Sequence, residues 1–308
     1  MDNRITVIGS SNVDFIMKVP HLPAAGETVT GGEYVQVFGG KGANTATAAS
    51  RAGGQVTFMT CLGVDHFGRQ MVENFRADRI DTSSIQFLDD QPCGTALIMV
   101  DSNGENCISV AAGANGALSV NMVQDIEALI SESPLVLLQM EIPISTNEEV
   151  LRLADKHGAA VLLNYAPVLE EPLELNSRIT YLVINELEAS ALSGHPVSSQ
   201  LEASAAAEAL RSRGPQNVLI TLGGDGVVAA TDQGMVHVQV FEVEPVDTTA
   251  AGDTFCGCLG AAIVEGLALP AAMRQASAAA AICVTRVGAQ PSIPDRDEIE
   301  AFLALSQV

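Results

Sequence analysis

Basic residues are scarce in this sequence. It contains 15 Lys and Arg residues against 37 Asp and Glu residues, which gives a formal net charge of −22. A protein that binds nucleic acid or an anionic membrane presents a basic face, and no stretch of this sequence supplies one. The same charge disfavours a free polyanionic substrate, but it allows a nucleotide bound to Mg²⁺. We therefore expect no nucleic-acid partner and no membrane partner.

Several other features are missing as well. No apolar run reaches the roughly 18 residues that a membrane-spanning helix needs, and the first residues lead into a strand-like segment rather than a signal peptide. The six cysteines include no C-x-x-C pair, and Cys256 and Cys258 would lie on nearly opposite sides of a helix. The five histidines show no ligand spacing. These absences predict reduced cysteines, no zinc site and a cytoplasmic location.

Tryptophan is absent and aromatic residues amount to 4%, whereas hydrophobic residues make up 47% of the 308 residues and charged residues 17%. This composition argues against disorder and is sufficient for a large core. Glycine is abundant, with 27 residues, and tight glycine-containing turns between strands and helices are typical of α/β proteins. The length alone fits one large domain or two small ones.

Short apolar runs alternate along the chain with longer segments of helical character. We expect strands at 5–8, 56–62, 135–140, 160–163, 181–184 and 218–221, and helices at 42–52, 67–77, 120–130, 146–157, 200–213, 251–266 and 270–284, with a last one after 295. A strand meander is expected over 227–243. This alternation predicts a mostly parallel sheet with helices on both faces, in a single α/β domain over 1–308.

Three helices carry capping-box patterns, in which a polar N-cap is followed three residues later by Glu. These patterns are Ser145-x-x-Glu148, Ser199-x-x-Glu202 and Asp295-x-x-Glu298.

Two segments do not follow the alternation. Residues 13–38 and 93–111 are rich in strand-like runs, and 101–105 (Asp-Ser-Asn-Gly-Glu) forms a hairpin signal between two of them. We expect these segments to form a small accessory sheet inserted into the same domain.

Polar residues follow the predicted strands at their carboxyl ends, where ligands bind in open α/β sheets. They are Asn12, Asp14, Gly39, Gly40, Lys41, Gly42, Asn44, Glu141, Asn164, Asn185, Glu188, the glycine loop 223–226 and Asp253. A carboxylate, an amide and an ammonium group together suit a ligand with several hydroxyls. Turn formation is the competing explanation for any single pair such as Asn12 and Asp14.

The stretch 246–257 has the strongest chemical character. Asp247, then Ala250, Ala251 and Gly252, then Asp253 stand at the start of an Ala-rich predicted helix. Free N–H groups and the helix dipole make such a terminus an anion site. A carboxylate there can take a proton while the N–H groups hold developing negative charge. Helix capping alone explains a single Asp but not this pair.

Standard nucleotide motifs are absent. Lys41 is followed by Gly42 rather than Ser or Thr, so 39–44 is not a P-loop. The protein-kinase HRD and DFG motifs and a G-x-G-x-x-G after the first strand are missing too. Asn185-x-x-Glu188 allows either a capping box or a carboxylate that holds water around Mg²⁺. The glycine loop allows either a hairpin or close approach of a ligand.

Two stretches nevertheless resemble the signatures of a known family, the ribokinase-like (PfkB) sugar kinases. Gly-Gly-Lys-Gly-Ala-Asn at 39–44 is similar to the first signature, and Asp-Thr-Thr-Ala-Ala-Gly-Asp-Thr-Phe-Cys-Gly at 247–257 is similar to the second. Asn185-x-x-Glu188 resembles the family's magnesium-associated motif. The resemblance covers essentially the whole chain. It implies a three-layer α/β/α, Rossmann-like fold with a small β-sheet lid, formed here by 13–38 and 93–111.

The resemblance also implies an ATP-dependent kinase that phosphorylates the primary 5-hydroxyl of D-ribose. It assigns Asp253 as general base, and Ala250, Ala251, Gly252 and Asp253 as the anion hole. The implied sugar ligands are Asn12, Asp14, Gly40, Lys41, Asn44, Glu141 and Asp253. The implied nucleotide site comprises Asn185, Thr221, Gly223, Gly226, Gly252 and Ser277. The implied K⁺ site comprises Asp247, Thr249, Cys283, Arg286, Gly288 and Ser292, while Glu188 serves Mg²⁺ indirectly. Pairing of two lids implies a homodimer.

Two positions depart from the family pattern. Ser277 stands where a His often stacks near the adenine, and Gly224-Asp225 replaces more usual residues of the nucleotide loop. Other substrates remain open: deoxyribose, another sugar, a phosphorylated sugar or a nucleoside. A phosphorylated sugar would need more cations than Lys41, and a nucleoside would need more lid aromatics than Phe15, Tyr34 and Phe38. A non-catalytic sugar-binding protein is disfavoured by the intact Asp253, and a nicotinamide-dependent oxidoreductase by the missing fingerprint.

Overall fold

The structure is a computed structural model that describes residues 3–306. The strands are β1 Arg4–Ile8, β2 Asn12–Lys18, β3 Glu33–Gly39, β4 Gln55–Met59, β5 Cys61–Gly63, β6 Gln86–Leu88, β7 Gly94–Val100, β8 Asn106–Ala111, β9 Leu135–Gln139, β10 Ala160–Asn164, β11 Tyr181–Asn185, β12 Asn217–Thr221, β13 Val227–Thr231 and β14 Gly234–Val238. The α-helices are α1 Lys41–Arg51, α2 His66–Ala77, α3 Val120–Asp125, α4 Glu127–Glu132, α5 Ile144–His157, α6 Glu186–Ser193, α7 Gln200–Arg211, α8 Ala251–Val264, α9 Leu269–Val284 and α10 Arg296–Leu305.

Eight strands form the main sheet, in the order β14-β13-β12-β11-β10-β9-β1-β4. All neighbours run parallel except β12–β13 and β13–β14, which are antiparallel. Parallel strands joined through helices are buried on both faces, and the apolar runs of β9 to β12 meet that demand. The predicted mostly parallel sheet is therefore confirmed.

Two apolar layers cover this sheet. In β9, Leu135 and Leu137 belong to a core with α1, α8 and α9, whereas Val136 and Leu138 belong to a second core with α5, α6 and α7. Successive side chains of a strand point to opposite faces, so one apolar strand serves both cores. The fold is the predicted three-layer α/β/α arrangement.

The segments outside the alternation form a sheet of their own, in the order β3-β2-β7-β8. β2 and β7 are parallel, and β3 and β8 pair antiparallel at the edges. The predicted hairpin at 101–105 joins β7 to β8. A short two-stranded sheet of β5 and β6 stands beside it, and β6 was not predicted from the sequence.

Local deviations have identifiable causes. The predicted strand 56–62 divides at Thr60 into β4 and β5, and the predicted helix 120–130 divides at Ile126, whose φ and ψ of −104° and 17° are not helical. The capping box at Ser145 is wrong, because α5 begins at Ile144 after Pro143 and Ser145 lies inside its first turn.

The other caps differ in completeness. Ser199 caps α7 by accepting from Glu202 N, but the Glu202 carboxylate bonds Ser198 instead of returning to the cap. The box at Asp295 and Glu298 is complete. Within residues 3–306, no helix is both long and apolar enough to cross a membrane.

Candidate active site

The carboxyl ends of the parallel strands meet the amino terminus of α8 in a polar cleft. Asn164 ends β10, Asn185 ends β11 and Thr221 ends β12, and all three line one cavity of about 170 Å³ together with Lys41 and Asp253. The chain crosses from strand to helix at this edge of the sheet, so backbone and side-chain polar groups collect here.

Asp253 lies in the first turn of α8 and is only 5% exposed. Its Oδ2 accepts from Asn44 Nδ2 at 2.9 Å, and its Oδ1 accepts from Asn164 Nδ2 at 3.1 Å. Burial raises the pKa of Asp253, against the opposing effect of Lys41 and the two amides. A carboxylate held in this way keeps free lone pairs and is a stronger proton acceptor than an exposed Asp.

Asn164 had no role assigned from the sequence beyond its position at a strand end. The structure places its amide directly on Asp253, 89 residues away along the chain. Only the sheet topology brings the two together, so no local motif could have indicated the contact.

The amino terminus of α8 has an unusual backbone. Ala250 adopts φ 61° and ψ 8°, a left-handed conformation that non-glycine residues seldom take. A left-handed residue followed by helical ones turns successive N–H groups toward one point and forms an anion nest. Ala251 N already donates to Thr248 O at 3.3 Å, so that N–H is shared. A Cβ built on Gly252 would meet no atom within 4 Å, because this position faces open space.

A second carboxylate is held on the other side of the cleft. Glu141 Oε2 accepts from Ser10 Oγ at 2.6 Å and from Lys41 N at 3.0 Å. Ser10 Oγ in turn accepts from Gly42 N at 3.2 Å. Ser10 was not among the residues selected from the sequence, although it lies two residues before Asn12 in the loop after β1. These bonds leave Glu141 Oε1 available for a ligand.

Asn12 and Asp14 lie on the same face of β2, because alternate residues of a strand share a face. Asp14 is 8% exposed, and burial together with Glu141 and Asp253 raises its pKa to about 7. Asn12 Oδ1 accepts from Asn115 Nδ2 at 2.7 Å. Asn115 is a further residue that sequence reasoning did not select.

Gly40, the N-cap of α1, adopts φ 88°, and a Cβ there would lie 2.8 Å from Asn12 N. Glycine at this position lets α1 start against the loop after β1.

Lys41 begins α1 and points among the carboxylates. Its pKa is raised, first by Asp253 and then by Glu141 and Glu188. Its ammonium group therefore stays charged beside the α8 terminus. An ammonium group at this point can bind an anion or donate to a hydroxyl of a ligand.

A second cavity, of about 470 Å³, opens beyond the α8 terminus. Thr221, Gly223, Gly226, Gly252 and Ser277 all line it, and its remaining lining is mostly apolar. It shares Thr221 and Gly252 with the smaller cavity, so the two cavities are adjacent. An apolar cavity of this size suits a flat heterocycle, with the polar α8 terminus at its inner end.

The loop 223–226 contains two different kinds of glycine. A Cβ on Gly226 would lie 2.2 Å from Val238 O, so the hairpin itself requires this glycine at its φ of 86°. A Cβ on Gly223 would meet nothing within 4 Å. Asp225 is exposed and is not part of the cavity lining, so its charge lies outside the cavity.

The six positions of the implied K⁺ site converge at the loop before α8 and the turn after α9. Asp247 Oδ1 accepts from Thr249 N at 2.9 Å, and its Oδ2 accepts from Gly288 N at 2.8 Å. The Cys283 thiol donates to Thr249 O at 3.7 Å and lies 3.0 Å from Ser292 Oγ. The Arg286 side chain instead pairs with Glu298 on α10, so only its backbone carbonyl can serve a cation here.

Hard oxygen donors are the appropriate ligands for an alkali or alkaline-earth cation. No group of three or more His, Cys, Asp or Glu within residues 3–306 could hold a metal ion, so a cation in this loop would depend on carbonyl oxygens.

In Asn185-x-x-Glu188, a capping box and a carboxylate that holds water around Mg²⁺ are compatible, because one oxygen of Glu188 suffices for the cap. Asn185 Oδ1 accepts from Glu188 N at 2.9 Å, and Glu188 Oε2 accepts from Asn185 N at 2.8 Å, which completes a capping box for α6. Glu188 Oε1 is not used by the capping box, and the residue lines the cavity that contains Asp253. Burial raises the pKa of Glu188, while its bond to Asn185 N and the charge of Lys41 lower it.

Known proteins resemble this chain along almost its whole length. Residues 2–296 match the pfkB family of carbohydrate kinases. The chain is 41% identical to a ribokinase of Haemophilus influenzae over 98% of this chain and 99% of that protein. It is 34% identical to a deoxyribokinase of Salmonella typhimurium, over 98% and 99% of the two chains. The solved structure of an Arabidopsis thaliana ribokinase complexed with ribose and ATP superimposes with a TM-score of 0.91, at 32% identity and with 98% and 99% coverage. The chain therefore belongs to the pfkB family of carbohydrate kinases.

Proposed function

We propose that this protein is a ribokinase, which transfers the γ-phosphoryl group of ATP to the primary 5-hydroxyl of D-ribose. The observation that carries the proposal is the position of Asp253. It lies between the polar face of Asn12, Asp14 and Glu141 and the anion nest of α8, with the apolar cavity beyond. The ribokinases among its relatives support the substrate, and the bound ribose and ATP of the Arabidopsis protein support both sites.

Asp253 acts as the general base in this proposal. Its carboxylate takes the proton of the 5-hydroxyl as that oxygen attacks the γ-phosphorus, and the bond from the γ-phosphorus to the bridging oxygen breaks. ADP leaves with the bridging oxygen, and ribose 5-phosphate carries the new ester bond. Asn44 and Asn164 orient the Asp253 carboxylate toward the hydroxyl, and both amides remain in place when the carboxylate becomes protonated.

The α8 terminus stabilises the charge of the transferred group. N–H groups of Gly252 and Asp253, beside the left-handed Ala250, point to the position of the phosphoryl oxygens. Lys41 adds a full positive charge on the opposite side. Phosphoryl transfer requires little covalent help from a protein, so this positioning and charge stabilisation supply most of the catalysis.

Two cations complete the proposal. Mg²⁺ would be held through water by Glu188 Oε1 and would neutralise the phosphates of ATP. K⁺ would be held by Asp247, Ser292 and the carbonyls of Thr249, Cys283, Arg286 and Gly288. This loop leads directly into Ala250, so we propose that a fixed conformation of the loop determines the shape of the anion nest.

The four-stranded sheet is proposed as a lid over the sugar. Its site-side face carries Asn12 and Asp14 at one end. Exclusion of water protects the phosphoryl group from hydrolysis, which is what a lid provides.

We also propose that two lids pair in a homodimer. Large apolar side chains are exposed on both faces of this sheet, with Met17, Tyr34 and Leu97 on one face and Val35, Ile108 and Val110 on the other. A monomer gains nothing from such exposed apolar faces, whereas pairing would bury apolar surface. Sedimentation equilibrium should give a dimer, and Leu97→Asp with Ile108→Asp should give monomers; a monomeric wild-type protein would refute the pairing.

All six cysteines are free thiols, and only Cys107 is exposed. Free buried thiols are typical of proteins in a reducing compartment. We therefore propose a cytoplasmic location for the enzyme.

A release assay for ADP tests the function. Purified protein with ATP and Mg²⁺ should release ADP with D-ribose, and more slowly with 2-deoxyribose, hexoses and nucleosides. Replacement of K⁺ by a large organic cation should lower the rate. Absence of ADP release with every sugar would refute the kinase. A preference for 2-deoxyribose would favour the deoxyribokinase alternative, and equal rates in both cations would remove the K⁺ site.

The raised pKa of Asp14 makes stability depend on pH. Asp14 stays protonated in the folded protein up to about pH 7, whereas the unfolded chain releases the proton near 3.8. The folded state therefore binds the extra proton, and this group lowers stability as pH rises through that window. Asp14→Asn should stabilise the protein by about 1–4 kcal/mol at pH 8.5, with a smaller gain at pH 5.5.

Urea denaturation at the two pH values measures this effect. The exposed Asp90→Asn is the matched control and should show no pH-dependent gain. The Asp14 variant should also raise the KM for ribose at pH 8.5, where the Asp14 side chain is ionised and its carboxylate accepts from a sugar hydroxyl. An equal gain at both pH values would contradict the role of burial.

A further inference from the structure

Asn115 is almost fully buried, at 2% exposure, in the short 3-10 helix Gly113–Ala117 that follows β8. Its side chain bonds to the loop after β1 at three points. Oδ1 accepts from Ser11 N at 2.9 Å, while Nδ2 donates to Ser11 O at 3.3 Å and to Asn12 Oδ1 at 2.7 Å. Both Nδ2 hydrogens are therefore used.

These contacts determine the orientation of two amides. If the Asn115 amide were reversed, its NH₂ would face Ser11 N–H and its oxygen would face Ser11 O. Both pairs would repel, so Asn115 must present Nδ2 to Asn12. Asn12 must then present Oδ1 to Asn115. Its Nδ2 is left without a hydrogen-bond partner among residues 3–306 and is not among the occluded polar atoms.

The packing around the pair leaves no alternative arrangement. Gly94 begins β7 opposite Asn12 in the sheet register. A Cβ on Gly94 would lie 2.2 Å from Asn115 Nδ2 and 2.3 Å from Asn12 Oδ1. The base of β2, the base of β7 and the helix after β8 therefore meet around a single side chain, at the point where the four-stranded sheet joins the main domain.

We propose that Asn115 is a positioning residue that makes Asn12 a hydrogen-bond donor toward the sugar. Asn12 donates to one hydroxyl of the ligand, and Asp14, on the same face of β2, accepts from a neighbouring one. A vicinal diol satisfies this donor–acceptor pair, because each hydroxyl can accept one bond and donate one. If Asn12 presented its oxygen instead, both hydroxyls would have to donate to this pair, and neither would keep its hydrogen for another acceptor of the site such as Glu141. The inference rests on the proposed function of the same site.

A double-mutant cycle tests the proposal. Asn115→Asp keeps an acceptor for Ser11 N but replaces the Nδ2 donor that faces Asn12 Oδ1 with an acceptor oxygen, which favours the reversed Asn12 amide with its oxygen toward the sugar. We expect the KM for the sugar to rise about 10- to 100-fold, while the KM for ATP changes less than about twofold. In an Asn12→Ala background the same Asn115→Asp change should raise the sugar KM less than about threefold, since contacting residues are non-additive.

Asn115→Ser serves as the second variant if Asn115→Asp does not fold, and thermal melting identifies a folded protein. It should give the same split between the two KM values. Equal rises in both KM values, or additive effects of Asn115 and Asn12, would show a purely structural role and would overturn the proposal.

The cycle uses the sugar that the wild-type protein phosphorylates fastest. If that sugar is not ribose, the proposed substrate fails while the Asn115 result still stands or falls by its own cycle. If the wild-type protein phosphorylates no sugar, both proposals are overturned.

Discussion

Asp253→Ala is expected to lower kcat by about 10²- to 10⁴-fold while ribose still binds. The variant removes the carboxylate that both Asn44 and Asn164 hold in place, and with it the proposed acceptor for the hydroxyl proton. The sugar-side contacts of Asp14 and Glu141 remain, so the dissociation constant for ribose should change far less than kcat. ADP release gives kcat, and titration calorimetry gives ribose binding.

Stability should move in the opposite direction to activity. Burial raises the pKa of Asp253, so the ionised carboxylate lowers the stability of the folded protein. Asp253→Asn keeps the volume and removes the charge, and its melting temperature should equal or exceed that of the wild type. Asp295→Asn is the matched control, because Asp295 also stands at a helix start, but beside α10. It should leave kcat unchanged. Retention of wild-type kcat in Asp253→Ala would remove Asp253 from the role of base.

Gly252→Ala is expected to lower kcat/KM for ATP by about 10²- to 10³-fold without loss of stability. Nothing in the protein lies within 4 Å of the position of the new methyl group. Alanine also favours a helix over glycine by about 0.5–1 kcal/mol. The protein itself therefore has no steric need for glycine here. The methyl group would occupy the space into which the phosphoryl oxygens must enter, so the cost falls on activity.

Gly257, one and a half turns further along α8, provides the matched control. A Cβ there would lie 2.5 Å from Thr45 O and 2.6 Å from the Cβ of Ala48 on α1. Gly257→Ala should therefore destabilise the protein by about 1–3 kcal/mol. Urea denaturation and steady-state kinetics on both variants separate the two reasons for glycine in one helix. A Gly252→Ala enzyme with wild-type kinetics would show that the anion nest lies elsewhere.

Local patterns were sufficient for most of the fold. The apolar runs of β9 to β12 and the Ala-rich α8 and α9 carry their periodicity in consecutive residues. The hairpin between β7 and β8 is determined by its turn residues. Failures occurred where a local pattern competed with its surroundings. Ser145 has the composition of an N-cap, but Pro143 occupies that position, and Ile126 interrupts an otherwise helical run.

The candidate site divides in the same way. Asp253 and the small residues before it lie within one stretch, so both the base and the anion nest could be predicted from the sequence. The positions of Asn12, Glu141 and Asn185 at strand ends, and of Asn44 near a helix start, also follow from the α/β alternation. Only the tertiary structure decided how these side chains are oriented. Ser10 reaches Glu141 across 131 residues, and Asn115 reaches Asn12 across 103.

The physical reason is the range of the interactions. Periodicity, capping and turn preference act between residues that are close in sequence, and they determine which residues form the sheet edge. Hydrogen bonds between side chains act over about 3 Å in space, and their partners depend on which strands and helices become neighbours. The sequence by itself therefore determined the fold class and predicted Asp253 as the base, whereas tertiary packing decided which amides hold Asp253 and which atom Asn12 presents to a ligand.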